Sequence, residues 1–181
     1  MATEIEFNHD RFREAVLYIS WKTREDDDFG RTKLAKVLFY SDLCRFSEQG
    51  EPLTGAEYKH WKRGPFPPAL YGVEKELHDE GTAVGERLLP GHEQPRRLTL
   101  KILPDAEPPT PRDAVILYAY IEKIAAQPTW KASDDSHEHP GWMLTEGNET
   151  IPYHVAFFSQ RQPTEADYSR AKELANKHGW T

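Results

Sequence analysis

Between Gly30 and Gly50 the chain reads "RTKLAKVLFYSDLCRFSEQ", with neither proline nor glycine to interrupt it. Leu34, Val37, Leu38, Phe39, Tyr40, Leu43, Cys44 and Phe46 fall at helical spacing and cover more than half of the circumference. A surface helix shows one apolar stripe, whereas a helix this apolar has to be covered on several sides. The segment, about 32–49, is therefore expected to be the central helix, with Thr32 as its cap and Gly50 just past its end. Any fold open to this chain must supply enough surrounding elements to bury it.

The flanking sequence supplies them. In residues 9–24, "HDRFREAVLYISWKTR", Phe12, Val16 and Ile19, with Ala15 beside them, mark one face of a helix. The acidic run Asp26–Asp28 and Gly30 then interrupt the chain. After Pro52 a short extended piece spans about 55–63, and Pro67 and Pro68 suit a helix start, where the missing N–H has no partner to lose. Leu70, Val73 and Leu77 give that helix an inward stripe, and Gly81 ends it. Further on, Leu98, Leu100 and Ile102 alternate with Arg97, Thr99 and Lys101, the period of a half-exposed strand. With "AVGERLL" across "PGHEQP", this makes a hairpin or two strands of a small sheet.

"DAEPPTP", 105–111, reads as a linker, after which Thr110 caps a helix with Pro111 in its first turn and Asp113 near the third position. Residues 128–159 look irregular, with room for a helical turn or more before Pro140, and a last amphipathic helix is expected over about 164–178. The fold class is α+β, mainly α: a compact helical domain around the buried central helix, with a small antiparallel β element at about 83–103. At 181 residues the chain is read as one domain, 1–181, whose C-terminal helical part is 110–181.

Composition narrows the function. Acidic residues outnumber basic ones 30 to 23, for a net charge of −7. Tight binding to a phosphate backbone draws on clustered Lys and Arg, so the balance points away from a dedicated nucleic-acid binder and suits a basic protein partner. The single cysteine, Cys44, excludes an internal disulfide and a Cys-based zinc site. The start lacks a basic segment followed by an apolar run, and no apolar run approaches the ~20 residues that span a bilayer. A soluble, cytoplasmic protein with no membrane partner is expected.

The most enzyme-like stretch is "DDSHEHP", 134–140, with His154 further on. On an extended chain His137 and His139 would face one side, and with Asp134, Asp135 or His154 they could bind a metal. The pattern is neither H-E-x-x-H nor a C-x-x-C pair, so turn caps and ordinary hydrogen bonds are the stronger reading. Cys44 sits in the apolar central helix, where a buried thiol is inert. There is no G-x-S-x-G and no glycine-rich phosphate loop, and the run "EDDD" reads as solvated. No catalytic constellation stands out, and no cofactor is implied.

Basic residues form two groups, Lys59, Lys62 and Arg63, and Arg87, Arg96, Arg97 and Lys101 on the hairpin. A basic hairpin after helices has the look of a DNA-contacting wing, but a solvated strand with a basic edge is the simpler account. In "YKHWKRGPFPPALYG", 58–72, the rings of Tyr58, Trp61 and Tyr71 are interrupted by Gly64-Pro65, and the prolines restrict the backbone. A single-strand binder needs its rings along a basic groove. The stretch reads as a corner between strand and helix, its aromatics packed back on the core.

Taken together, residues 33–77 resemble the Panacea (SocA-like) domain, once known only as a domain of unknown function in phage-associated proteins. That family shows a helix of the form L-x-K-L-L-Y-F-A-D, a G-x-P-L-T-G turn, Y-x-x-W, then G-P and an aromatic helix. Leu34, Lys36, Tyr40 and Asp42 match the helix, and Gly50, Pro52, Leu53, Thr54 and Gly55 match the turn. Tyr58, Trp61, Gly64, Pro65 and Tyr71 match the remainder, and Ser136, His137 and Trp142 look like a later Ser-His and Trp element of the family. Phe39-Tyr40 reverses the usual aromatic order, and Lys62-Arg63 makes the approach to Gly64 unusually basic.

The resemblance implies a non-enzymatic antitoxin that neutralises a co-encoded toxin. It does so by direct binding, or as an adaptor delivering the toxin to the ClpXP protease. It carries no catalytic residues, and the partner-binding candidates are Lys62 and Arg63. Readings from other classes are a DNA-binding regulator acting through the hairpin and a metal-dependent hydrolase using His137, His139 and His154.

Overall fold

The structure, a computed structural model, describes residues 5–86, 97–100 and 110–158, with 165, 169–170 and 172–173 of the final segment. Helix α1 (His9–Lys22) begins at Asn8, whose side chain accepts from the Arg11 amide, and it buries Phe12, Ala15, Val16 and Ile19. Helix α2 (Arg31–Gln49) is the central helix, and Gly50 closes it with an N–H to Phe46 O bond of 2.8 Å. Its N-cap is Gly30, with no side-chain bond; Thr32 lies inside the first turn rather than capping it. Burial extends beyond the apolar positions: Lys33, Lys36, Asp42 and Arg45 are also buried, so α2 is enclosed nearly all round.

Strands β1 (Tyr58–Trp61) and β2 (Gly64–Phe66) pair antiparallel, with Trp61 opposite Gly64 and the turn at Lys62-Arg63. β1 also pairs with β5 (Thr150–Ile151), giving the order β2-β1-β5. The sequence signals one extended piece here and not the sheet. β2 carries Pro65, which a sheet tolerates at an edge, and β5 is too short for any alternation to show. Helix α3 (Ala69–Asp79) follows Pro68 and buries Leu70, Val73 and Leu77. Strands β3 (Ala83–Glu86) and β4 (Arg97–Leu100) form the expected antiparallel pair, from Ala83 opposite Leu100 to Glu86 opposite Arg97.

Helix α4 (Pro111–Ala125) is capped by Thr110, whose Oγ1 accepts from the Asp113 amide at 3.1 Å, and it buries Leu117, Ile121 and Ile124. The stretch read as irregular, with room for a helical turn or more before Pro140, holds α5 (Thr129–His137) there and, beyond it, α6 (Pro140–Met143) and a 3₁₀ turn at Tyr153–Phe157. In α5 only Ala132 and Ser136 are buried. A helix packed through small residues leaves no apolar stripe to recognise. The last expected helix lies outside the described residues, except for Glu165, Ser169, Arg170, Lys172 and Glu173, which are helical. Among the described residues no helix is long and apolar enough to cross a membrane.

Candidate functional site

The polar residues of the 33–77 motif turn inward. Asp42 of α2 is fully buried, and its Oδ1 accepts from the Thr54 amide at 2.6 Å. Its Oδ2 accepts from Thr54 Oγ1 and from Tyr58 OH, each at 2.6 Å. Burial pushes the Asp42 carboxyl above the ordinary carboxylate range, and these bonds act against that rise. The same burial raises the Tyr58 hydroxyl. Tyr153 joins the cluster from the far end of the chain, donating to Ala56 O at 2.7 Å.

The turn after α2 is thus clamped to the helix. Leu53 is buried, and the Pro52 carbonyl accepts from Arg45 at 3.3 Å. Gly55 takes φ +70°, and a Cβ there would meet Glu6 O at 2.1 Å, so only glycine lets the N-terminal strand of chain pass.

A second buried junction joins α2, β2 and α5. Lys36 Nζ donates to Pro65 O at 2.9 Å, and burial holds its ammonium down to about 7. Gly64 has φ +88°, and a Cβ on it would lie 2.0 Å from Ser136 Oγ and 2.7 Å from Lys36 Nζ. Ser136, fully buried, donates to Ser133 O at 2.6 Å. A hydroxyl beside a lysine of lowered basicity has the composition of a nucleophile and its base. With both side chains buried and engaged by main-chain carbonyls, it is a packing junction.

The three histidines do not act together. His137 ends α5 and stacks on Trp142 at 4.2 Å; His60 stacks on the same indole at 4.2 Å. Two rings at that spacing would overlap on one face, so they occupy opposite faces. Trp142 Nε1 donates to Trp61 O at 3.2 Å, which fixes this stack to β1. His139 is the N-cap of α6: its Nδ1 accepts from the Gly141 amide at 3.0 Å, and its ring meets Phe39 at 5.1 Å. Burial lowers its pKa to about 4, which keeps that nitrogen free to accept. His154 rests edge-on against Phe46. The chain is not extended at 137–139, so the shared side expected for these rings does not arise. Among the described residues no three His, Cys, Asp or Glu side chains converge as metal ligands would.

Other expectations need adjustment. Cys44 is half-buried rather than buried, although burial still raises its thiol. The acidic run is engaged: Asp28 and Asp26 lie 3.0 and 3.6 Å from the Lys33 ammonium, and Asp28 Oδ2 accepts from the Thr129 amide at the start of α5. Tyr40 is only partly buried against the core and stacks on Tyr120 at 5.7 Å. Arg87, Arg96 and Lys101 of the basic hairpin lie outside the described residues.

The corner aromatics divide. Tyr58 is core, Trp61 is half-buried and Tyr71 is 44% exposed, so they are not all packed back. Trp61 stacks on Phe66 at 4.5 Å, and Tyr71 lies beside both. The Arg31 guanidinium stands 4.9 Å over the Tyr71 ring while bonding Glu74. Lys62 and Arg63 project from the turn, exposed, and form no ion pair among the described residues. Tyr153, His60, Phe66 and Arg31 were not singled out from sequence. Tyr153, His60 and Arg31 owe their roles to distant partners that no local spacing signals, and Phe66 meets its near neighbours Trp61 and Tyr71 through the β1–β2 turn and the start of α3.

The family model described as "Antitoxin SocA-like, Panacea domain" matches residues 34–143. No curated protein and no solved structure matches this chain.

Proposed function

The chain belongs to the SocA-like Panacea antitoxin family, and from that premise we propose that it neutralises a co-encoded protein toxin in the cytoplasm by binding it directly. The match over residues 34–143 carries this reading. The inward direction of the motif supports it. Asp42, Thr54, Tyr58 and Lys36 bond to their own chain, so what meets another molecule is the outer surface. Inhibition by covering a partner needs no chemistry and no cofactor, only a contact of the usual size, ~1,200–2,000 Å² buried in total.

The test is co-expression. An adjacent gene should encode a protein that stops growth when expressed alone, and this chain should restore growth. A stable one-to-one complex should co-purify, and rescue should persist in a host lacking ClpXP. Rescue that disappears in that host would replace direct binding with proteolytic delivery. If neither neighbouring gene is toxic and nothing co-purifies, the reading fails.

A further inference from the structure

We propose that the toxin docks through an acidic surface onto one patch, formed by the Lys62-Arg63 turn with Trp61, Tyr71 and Trp130. The proposal rests on the antitoxin reading above and names the face that serves it.

The patch follows from a circuit made of contacts and of neighbours in the chain. Asp28 O accepts from Thr129 Oγ1 at 2.9 Å, which pins the start of α5 beside the start of α2. The next residue, Trp130, is 66% exposed. Three residues after Asp28, Arg31 lies over Tyr71, whose ring neighbours Trp61 and Phe66. Trp61 leads into Lys62-Arg63, and the Arg63 carbonyl accepts from Ser133 Oγ at 3.2 Å. Ser133 lies three residues beyond Trp130, on the same side of α5, so the circuit returns to its start.

Charge selects the occupant. Three carboxylates near this rim are already engaged: Asp28 with Lys33, Glu74 with Arg31, and Asp135 with Lys131. Lys62 and Arg63 have no ion pair among the described residues, and the carboxylates likewise without one, Asp134 and Glu138, lie along α5 and just past its end rather than on the turn. The turn itself therefore presents two adjacent cations with no ion pair among the described residues, on a chain of net charge −7. Exposed Trp, Tyr and Arg together are the residues that anchor protein interfaces. Opposite charge at a rim speeds encounter and fixes register. Among the other exposed apolar groups, Val115 and Tyr118 on α4 and Met143 and Leu144 at the end of α6 have no ring cluster, while Phe7 and Phe157 meet the rings of Phe12 and Phe46 but have no adjacent pair of Lys or Arg beside them in the chain.

The experiment compares the wild-type chain with Lys62→Glu/Arg63→Glu, Trp130→Ala and, on another face, Tyr118→Ala. Toxin affinity is measured on purified proteins, and growth rescue in cells. Trp130→Ala should weaken the complex about 30-fold or more, the range of an anchor residue. The double charge reversal should weaken it about 10-fold or more, mostly through slower association, with the difference shrinking in high salt. Tyr118→Ala should match wild type.

If wild type rescues and the charge-reversed and Trp130 variants bind as tightly, this patch is overturned while the antitoxin reading stands. If wild type does not rescue, both fall. Loss confined to Tyr118→Ala places the interface elsewhere. Loss of duplex DNA binding or of self-association in the charge-reversed variant, with toxin affinity unchanged, assigns the patch to those occupants and refutes the proposal.

Discussion

Lys36 is a buried cation with a main-chain carbonyl, and no carboxylate among the described residues, as its bonded partner. Burial lowers its pKa from the ordinary 10.5 to about 7 in the folded chain. Between those values the unfolded state holds a proton that the native state lacks. Unfolding therefore takes up protons, and stability rises with pH across that window. Conversely, this stability is lost as pH falls towards 7, and below 7 both states are charged and the penalty is constant. One pKa unit corresponds to about 1.4 kcal/mol, so the rise from pH 7 to 9 is on the order of 2 kcal/mol.

Lys36→Met keeps the aliphatic stem and removes the titration. It also leaves the Pro65 carbonyl unpaired, which costs about 1–3 kcal/mol at any pH. Urea unfolding of both proteins at pH 7, 8 and 9 isolates the proton linkage, because other groups titrating in this range largely cancel in the difference. His137, which faces Lys36, titrates below the window. The wild-type advantage over Lys36→Met should grow by about 2 kcal/mol from pH 7 to 9. Parallel stability curves would refute the reasoning, since the ammonium would then titrate alike in folded and unfolded chains.

Four further outcomes are expected. Gly64→Ala should lose about 2–4 kcal/mol in a thermal melt, from the left-handed backbone and the clash with Ser136 and Lys36; a wild-type midpoint would contradict the junction. Thr54→Val should lose about 1–3 kcal/mol by leaving the buried Asp42 carboxyl short of a donor, measured by denaturant unfolding. His139 has a depressed pKa, so its contribution is lost as pH falls from 6.5 towards 4; His139→Asn, which can cap without titrating, should show a shallower acid melt over that range. Trp61→Ala should lose only about 1–2 kcal/mol, because the half-buried ring forfeits its stack on Phe66 rather than a core position.

The central helix was legible because its apolar residues crowd every face, and α1, α3 and α4 because each carries a stripe and a cap or proline at its start. The β3–β4 pair announced itself by alternation. What stayed hidden had no periodic signal. The pairing of β5 with β1 joins Ile151 to Tyr58 across about half of the chain, and α5 packs through Ala132 and Ser136. Burial of Lys36 and Asp42 was equally hidden, since a charged residue on a helix reads as solvent-facing until its partners are known. Their appearance in the family pattern marked them without saying why. The reason is three-dimensional: Asp42 fastens the turn at Thr54, and Lys36 fastens β2 at Pro65.

That division bears on what the motif can report. Leu34, Asp42, Leu53, Thr54 and Tyr58 face the interior, while Gly55 and Gly64 sit where backbone and side chains press closest. A pattern made of such residues identifies the scaffold and is silent about what the scaffold holds. Lys62 and Arg63 interrupt it at the only point where β1 and β2 reach solvent as a turn, and their side chains bond to nothing else among the described residues. Substitution there alters the face offered to a partner and leaves the Asp42 clamp and the Lys36 junction intact. A fold braced from within in this way can change partners at its rim without renegotiating its core. On the docking proposed above, the basic turn that follows Trp61 is where that freedom lies.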